Sequence, residues 1–352
     1  MESGRILGQN HIVKHFENAI KIGKISHAYI INGEKGTGKM QLAVDFAKAL
    51  QCEEFNGKAC GHCKSCKQTD SKNQPDIKYV TYEKSGIGVD EIREQINDDI
   101  DIKPYSSRYK IYIVDESEKM TVQAQNALLK TIEEPPEYAI IILLTTNADT
   151  FLPTILSRCV VLNIRPVKEE LIKNKLMSEY GIGAYEASVA AVFSGGNPGK
   201  AVELATSEDF KDLKNHVVGA LLSLEKGGMD VISNNVKEAA SFKKQIDEYF
   251  SLIRIWFRDV LLYKASKSDD KLVFQDDYKL IEEMSEKIDY YGINIILQQL
   301  DKAQSRIKSN VNFDVTMEVL FLAIKERMKY DDQKKVHQAD YGNRGVAAAV
   351  GG

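Results

Sequence analysis

Apolar positions in the first half of the chain switch repeatedly between helical and strand spacing. Ile12, Phe16, Ala19 and Ile20 recur at helical spacing between Leu7 and Gly23, after a turn at Gly8-Gln9. A short apolar run follows at Ala28-Tyr29-Ile30-Ile31, then a Gly-rich stretch, then a helical stripe of Leu42, Ala43, Phe46, Ala47 and Leu50. Ile77 to Tyr82 reads as a strand. Asp90 is placed to cap a helix in which Ile92, Ile96 and Ile100 recur every four residues. Ile111 to Val114 is a further strand, ending on Asp115-Glu116. Thr121 can cap a helix that runs to Glu134, where Pro135-Pro136 stops it. Ala139 to Leu144 is apolar at every position, as a parallel strand buried on both faces requires. Cys159 to Leu162 is one more strand candidate. Strands alternating with helices predict an α/β unit over 1–165, with a parallel sheet covered on both faces.

The strand signal stops at Pro166. Residues 166–207 read as a small helical unit around the turn Ser194-Gly195-Gly196-Asn197-Pro198-Gly199, and 208–330 as helical throughout. Residues 331–352 turn polar, then small and Gly-rich, and are expected to form a disordered tail. A length of 352 residues agrees with this division into two or three domains. The chain carries a net charge of -4 and a pI of about 6.0, against the basic balance of a protein that coats nucleic acid unaided. No apolar run approaches the roughly 20 residues of a membrane helix. The start, Met1-Glu2-Ser3-Gly4-Arg5, lacks the apolar core of a signal peptide, so the expected location is the cytoplasm, with no membrane partner.

Asn32 to Met40 carries the first chemistry. Gly33, Gly36, Gly38 and Lys39 fit a phosphate-binding loop, in which glycines turn backbone N–H groups onto phosphate oxygens at the start of a helix. Such a loop continues with Ser or Thr, whose hydroxyl binds magnesium; here the residue is Met40, and a thioether is a poor ligand for a hard cation. The loop is therefore equipped to hold phosphate but poorly equipped to position the metal of ATP/Mg2+; the alternative is a tight turn without a ligand. Asp115 and Glu116 follow a buried strand, where an Asp would assist magnesium and a Glu would orient an attacking water; the alternative is a solvated strand end. Thr146 and Asn147 follow the apolar strand and could touch an outer phosphate, or simply cap the strand end. Cys52, Cys60, Cys63 and Cys66 place four thiols within fifteen positions. Soft thiolates in that density suit a structural Zn2+ site with no open position for catalysis. His62 is a bystander between two of them, and Cys159 lies far from the cluster as buried filler.

Longer runs carry a resemblance. Lys103-Pro104-Tyr105-Ser106-Ser107-Arg108-Tyr109-Lys110 leads into the Asp115-Glu116 strand and Lys119-Met120-Thr121. Gln125-Asn126-Ala127-Leu128-Leu129-Lys130-Thr131-Ile132-Glu133-Glu134-Pro135-Pro136 and Leu152-Pro153-Thr154-Ile155-Leu156-Ser157-Arg158-Cys159 follow. Together these runs, the four-cysteine insertion and Ser309-Asn310-Val311-Asn312 before an apolar helix resemble the bacterial clamp-loader subunits of DNA polymerase III, in the AAA+ superfamily. The likeness is strong to about residue 200 and looser to 330.

The resemblance implies an AAA+ parallel-sheet domain with a zinc module over 1–165, a helical lid over 166–207 and an all-α collar over 208–330. Its members join in a hetero-pentamer of gamma or tau and delta-type subunits that loads a sliding clamp on primed DNA. It also implies that Arg158 is an arginine finger acting on the neighbouring subunit's ATP, a role that suits a permanently charged, planar cation. Thr146 or Asn147 would sense the outer phosphate. Near Lys200 the motor subunits carry an Arg, which Lys200 could replace. Met40 and the segment Gly196 to Ala201 depart from the gamma/tau motor pattern, so a stator with little hydrolysis of its own is expected. The gamma/tau-type motor is one alternative, and a zinc-bearing nucleic-acid binding module, opposed by the acidic net charge, is another.

Overall fold

The five predicted strands pair as one parallel sheet in the order β2-β3-β4-β1-β5. They are β1 (Ala28–Asn32), β2 (Ile77–Val80), β3 (Lys110–Val114), β4 (Ala139–Thr145) and β5 (Val160–Asn163). The computed structural model describes residues 6–82 and 86–328; the predicted tail at 331–352 lies outside them. All seven residues of β4 are buried. Side chains alternate across a strand, so Tyr29 and Ile31 of β1 pack on one face of the sheet and Ala28 and Ile30 on the other.

The first face is covered by α1 (Asn10–Ile22) and α2 (Lys39–Leu50). Phe16 of α1 stacks on Phe46 of α2 with ring centres 3.8 Å apart, and Tyr29 meets both edge-on. A short α3 (Lys64–Asp70) belongs to the cysteine segment. The second face is covered by α4 (Val89–Ile92), which continues into a π turn over Arg93–Asn97, by α5 (Val122–Glu133) and by α6 (Pro153–Leu156). Ile92, Ile96 and Ile100 are buried there, as their spacing predicts. Thr121 caps α5 by accepting from the Ala124 N–H at 3.1 Å. Asp90 does not cap α4. That helix begins one residue earlier, and Glu91 Oε2 accepts the Gly88 N–H at 2.9 Å, so the carboxylate reaches back to the start from inside the first turn.

Contacts group the chain into two units, the first made of residues up to 181 together with 194–203. It includes α7 (Glu169–Tyr180) and the first residues of α9 (Pro198–Thr206). The second unit takes 182–193, which holds α8 (Ala184–Phe193), and the chain from 204 onward. There α10 (Glu208–Lys226), α11 (Met229–Ala239), α12 (Ile246–Ser266), α13 (Tyr278–Lys287), α14 (Tyr290–Lys308) and a helix over 313–328 surround one apolar core.

Phe250, Ile253, Trp256 and Phe257 of α12 are all buried inside this second unit. They are its own core. Trp256 packs edge-on against Phe274 and donates its indole N–H to Met284 Sδ. Asp259, fully buried one turn on, accepts the N–H groups of Val273 at 2.6 Å and Phe274 at 2.9 Å, which pins the chain that covers Trp256. Trp256→Ala is expected to cost about 3–5 kcal/mol. Urea unfolding followed by circular dichroism measures it, because the chain has a single Trp and the variant has none for fluorescence.

Candidate nucleotide and metal sites

β1 delivers the chain into the Gly-rich loop, and α2 carries it away. Gly38, the N-cap of α2, has φ of 88°, a left-handed conformation in which a side chain would be strained. The loop thus keeps the form that presents N–H groups to an anion at a helix start. Lys39 Nζ donates to the Gly33 carbonyl at 2.6 Å and the Glu34 carbonyl at 2.9 Å. Burial draws the Lys39 ammonium pKa down, while the carboxylates of Glu118, Asp115, Glu116 and Glu34 oppose it. Met40 lies half-buried and packs against the apolar cluster between α2 and the sheet.

The turn at 194–199 braces the outside of the loop. The Gly199 N–H donates to the Gly36 carbonyl at 3.0 Å. Asn197 is buried and gives its amide to the Lys35 carbonyl at 2.8 Å. A Cβ on Gly199 would lie 2.6 Å from the Gly36 carbonyl oxygen, so only glycine permits this approach. Lys200 is exposed; its backbone N–H meets Asn197 Oδ1, and its side chain makes no bond to the loop among the described residues. Beside the loop lies a cavity of about 180 Å³ lined by Leu7, Thr37, Gln41, Tyr180 and Pro198, among others.

Asp115 and Glu116 stand at the end of β3, but they differ. Asp115 is exposed and its Oδ1 accepts the Glu116 N–H. Glu116 takes up a left-handed backbone, φ 47°, and its carboxylate accepts from Lys119 Nζ at 2.7 Å and from the Tyr82 hydroxyl. Those two partners hold the Glu116 carboxyl below its ordinary range. Thr146 donates its hydroxyl to Glu118 Oε1 at 2.7 Å. Asn147 accepts the Asp149 N–H and so caps the turn Ala148–Thr150. Glu118 escaped the sequence reading, although it comes two residues after Glu116 in the turn Ser117–Lys119. Asn197 was visible only as a turn residue, because its partner lies 162 positions away.

Arg158 follows α6 and is exposed. Its Nε pairs with Glu133 Oε1 at 3.1 Å, and its Nη1 donates to the Thr154 carbonyl. Neither partner belongs to the phosphate loop.

The sulfurs of Cys52, Cys60, Cys63 and Cys66 all lie within 4.8 Å of one another, and those of Cys60 and Cys66 are 3.9 Å apart. Tetrahedral thiolate coordination with bonds of about 2.3 Å separates the sulfurs by about 3.8 Å. Backbone N–H groups of Cys60, Cys63 and Cys66 point at the sulfurs of Cys52, Cys60 and Cys63 respectively. Such bonds favour thiolate over thiol. The cluster could hold a metal ion. His62 is exposed and pairs with Glu54 at 3.1 Å, outside the set of four. Cys159 is half-buried, and burial pushes its thiol up to about 12.

A parallel sheet in the order found here, with a Gly-rich loop between β1 and α2 and an acidic pair after β3, makes a P-loop-type α/β domain, and the other unit is all-helical. A family model described as "DNA polymerase III, delta subunit" matches residues 8–168, and one described as its C-terminal part matches 209–326. The DNA polymerase III subunit delta' of Bacillus subtilis is 29% identical over 90% of this chain and 96% of its own length. The tau subunit of the same organism is 30% identical over 86% of this chain and 58% of its own. For Escherichia coli tau the figures are 33%, 49% and 26%, so the chain spans only part of the tau relatives. The two models together match well over half of the chain, which belongs to the DNA polymerase III delta-subunit family. No helix among the described residues is long and apolar enough to cross a membrane.

Proposed function

We propose that this chain is a delta-prime-type clamp-loader subunit. It acts as a scaffold in a hetero-pentamer with gamma or tau and delta subunits, which opens a sliding clamp and places it on primed DNA. Its helical region from 208 serves as the collar that joins the ring, and Arg158 serves the ATP site of the neighbour. The observation that carries this reading is Met40: the residue after Lys39 packs its thioether among apolar side chains where a hydroxyl would hold magnesium. Two further features agree with it. A phosphate would have to draw Lys39 off two carbonyls, and Glu116 is taken up by Lys119 and Tyr82 instead of facing a water. One relative, matched over 96% of its own length, is itself a delta' subunit. The four cysteines hold one structural zinc, which closes a segment with little core of its own.

A second reading, a gamma/tau-type motor, is favoured by the intact loop shape and the exposed Asp115. Equilibrium ATP binding with and without magnesium, together with turnover, separates the two. The unmodified chain is expected to bind ATP with little dependence on magnesium and to show no turnover. Met40→Thr is expected to gain magnesium-dependent affinity on the order of tenfold, the effect of one ligand contributing about 1.4 kcal/mol. Magnesium-dependent turnover by the unmodified chain would support the motor.

A further inference from the structure

A second cavity, of about 510 Å³, lies against the cysteine segment and away from the phosphate loop. Lys64, Ser65, Gln68, Ser107 and Arg108 line it, with Glu53 as its one acidic residue. It is built from inside. Asp76, 2% exposed, accepts the backbone N–H groups of Tyr105 at 2.5 Å, Ser106 at 2.9 Å and Ser107 at 2.9 Å, which fixes the loop that carries Ser107 and Arg108. Gln74, 5% exposed, donates its amide to Ser65 Oγ at 2.8 Å and Ser107 Oγ at 3.0 Å. Each serine oxygen is thereby used as an acceptor, and each hydroxyl proton remains to be given. Neither finds an acceptor among the described residues. The Arg108 guanidinium lies 4.2 Å from the centre of the Phe55 ring, which limits its conformations. Neither Arg108 nor Lys64 has a carboxylate partner among the described residues.

Two hydroxyl donors, a guanidinium held by an aromatic ring and an ammonium converge on one cavity. We propose that this cavity binds a phosphate group, with Arg108 and Lys64 supplying charge and Ser65 and Ser107 supplying neutral donors. Arg108 can bridge two phosphate oxygens, and the fixed serines make the pocket selective for a tetrahedral oxyanion over a simple halide. A volume of about 510 Å³ falls in the range of sites for whole small molecules. The phosphate can therefore come from a free nucleotide or from a nucleic-acid backbone. Glu53 weakens the site and restricts it to ligands that keep clear of that side.

The test uses the full chain carrying Lys39→Ala, which removes the main cation of the other phosphate site. Inorganic phosphate, a 5′-mononucleotide and a short oligothymidylate are titrated separately, and backbone amide NMR shifts are followed at residues 64–68 and 105–108. Phosphate is expected to shift these amides saturably. Lys64→Gln and Arg108→Gln are each expected to weaken binding by about tenfold, as for loss of a charged hydrogen bond. Glu53→Gln is expected to strengthen it. Tighter binding of the mononucleotide than of phosphate or oligothymidylate assigns a free nucleotide, and tightest binding of oligothymidylate assigns a nucleic-acid strand. Lys64 is exposed, so its variant folds whatever Arg108 does for Phe55. The proposal is overturned if none of the three ligands shifts these amides, or if the shifts persist unchanged in both Gln variants.

Discussion

Replacing Arg158 with Ala is expected to leave this chain folded and to slow ATP hydrolysis at the neighbouring site of the assembled ring by about a thousandfold or more, the usual effect of removing an arginine finger. The two halves of that expectation rest on different observations. Arg158 and Glu133 are 41% and 46% exposed, and an exposed ion pair contributes about 1 kcal/mol or less to stability. Hydrolysis at the far site depends on a cation that can lie on the transferring phosphate, and an arginine does this where a shorter or neutral side chain cannot. Arg158→Lys keeps the charge but loses the planar fork, so it should restore little. Thermal unfolding of the isolated variant and single-turnover hydrolysis by the reconstituted ring check the two halves separately.

The largest effect on the chain's own structure is expected from the cysteine cluster. Purified protein should contain one zinc per chain, and Cys66→Ser should lose it. Cys66 is fully buried, and α3 is capped by Cys63 Sγ, which accepts the Cys66 N–H at 3.4 Å. Structural zinc contributes about 10 kcal/mol or more to small sites of this type. Removing it should release α3 and the loop before it, while the sheet stays folded on its core of Phe16, Tyr29 and Phe46, against which the cysteine segment lays only the part-buried Phe55 and Ala59. Hydrogen exchange should rise across 52–70 and remain unchanged in β1, β3 and β4. Exchange that is unchanged across 52–70 after chelation would contradict a metal-dependent segment.

Local chemistry was legible in the sequence where one element carries it. The all-apolar run at Ala139 to Leu144 fits a short strand buried on both faces, and the Gly-rich loop gains its meaning from lying between a strand and a helix. The four cysteines were visible because they are close along the chain, and the structure brings their sulfurs together. Contacts across long separations were not legible. Nothing near Asn197 shows that it holds Lys35, and nothing near Asp76 shows that it gathers three N–H groups thirty residues later. The acidic strand end illustrates the same limit: the pattern offers Glu116 to orient a water, but Tyr82, 34 positions away, together with nearby Lys119, takes up its carboxylate. The Asp90 cap failed for a local reason. Asp is a common cap, but Glu91 reached the free N–H first.

On the proposed function, this chain has a weakened site of its own and contributes actively to the site next door. One comparison tests that division most directly: ATP hydrolysis by two reconstituted rings, one with Lys39→Ala in this chain and the other with Arg158→Ala. Lys39→Ala is expected to leave hydrolysis unchanged, and Arg158→Ala to remove the neighbouring site's share. Loss of hydrolysis with Lys39→Ala and none with Arg158→Ala would contradict it.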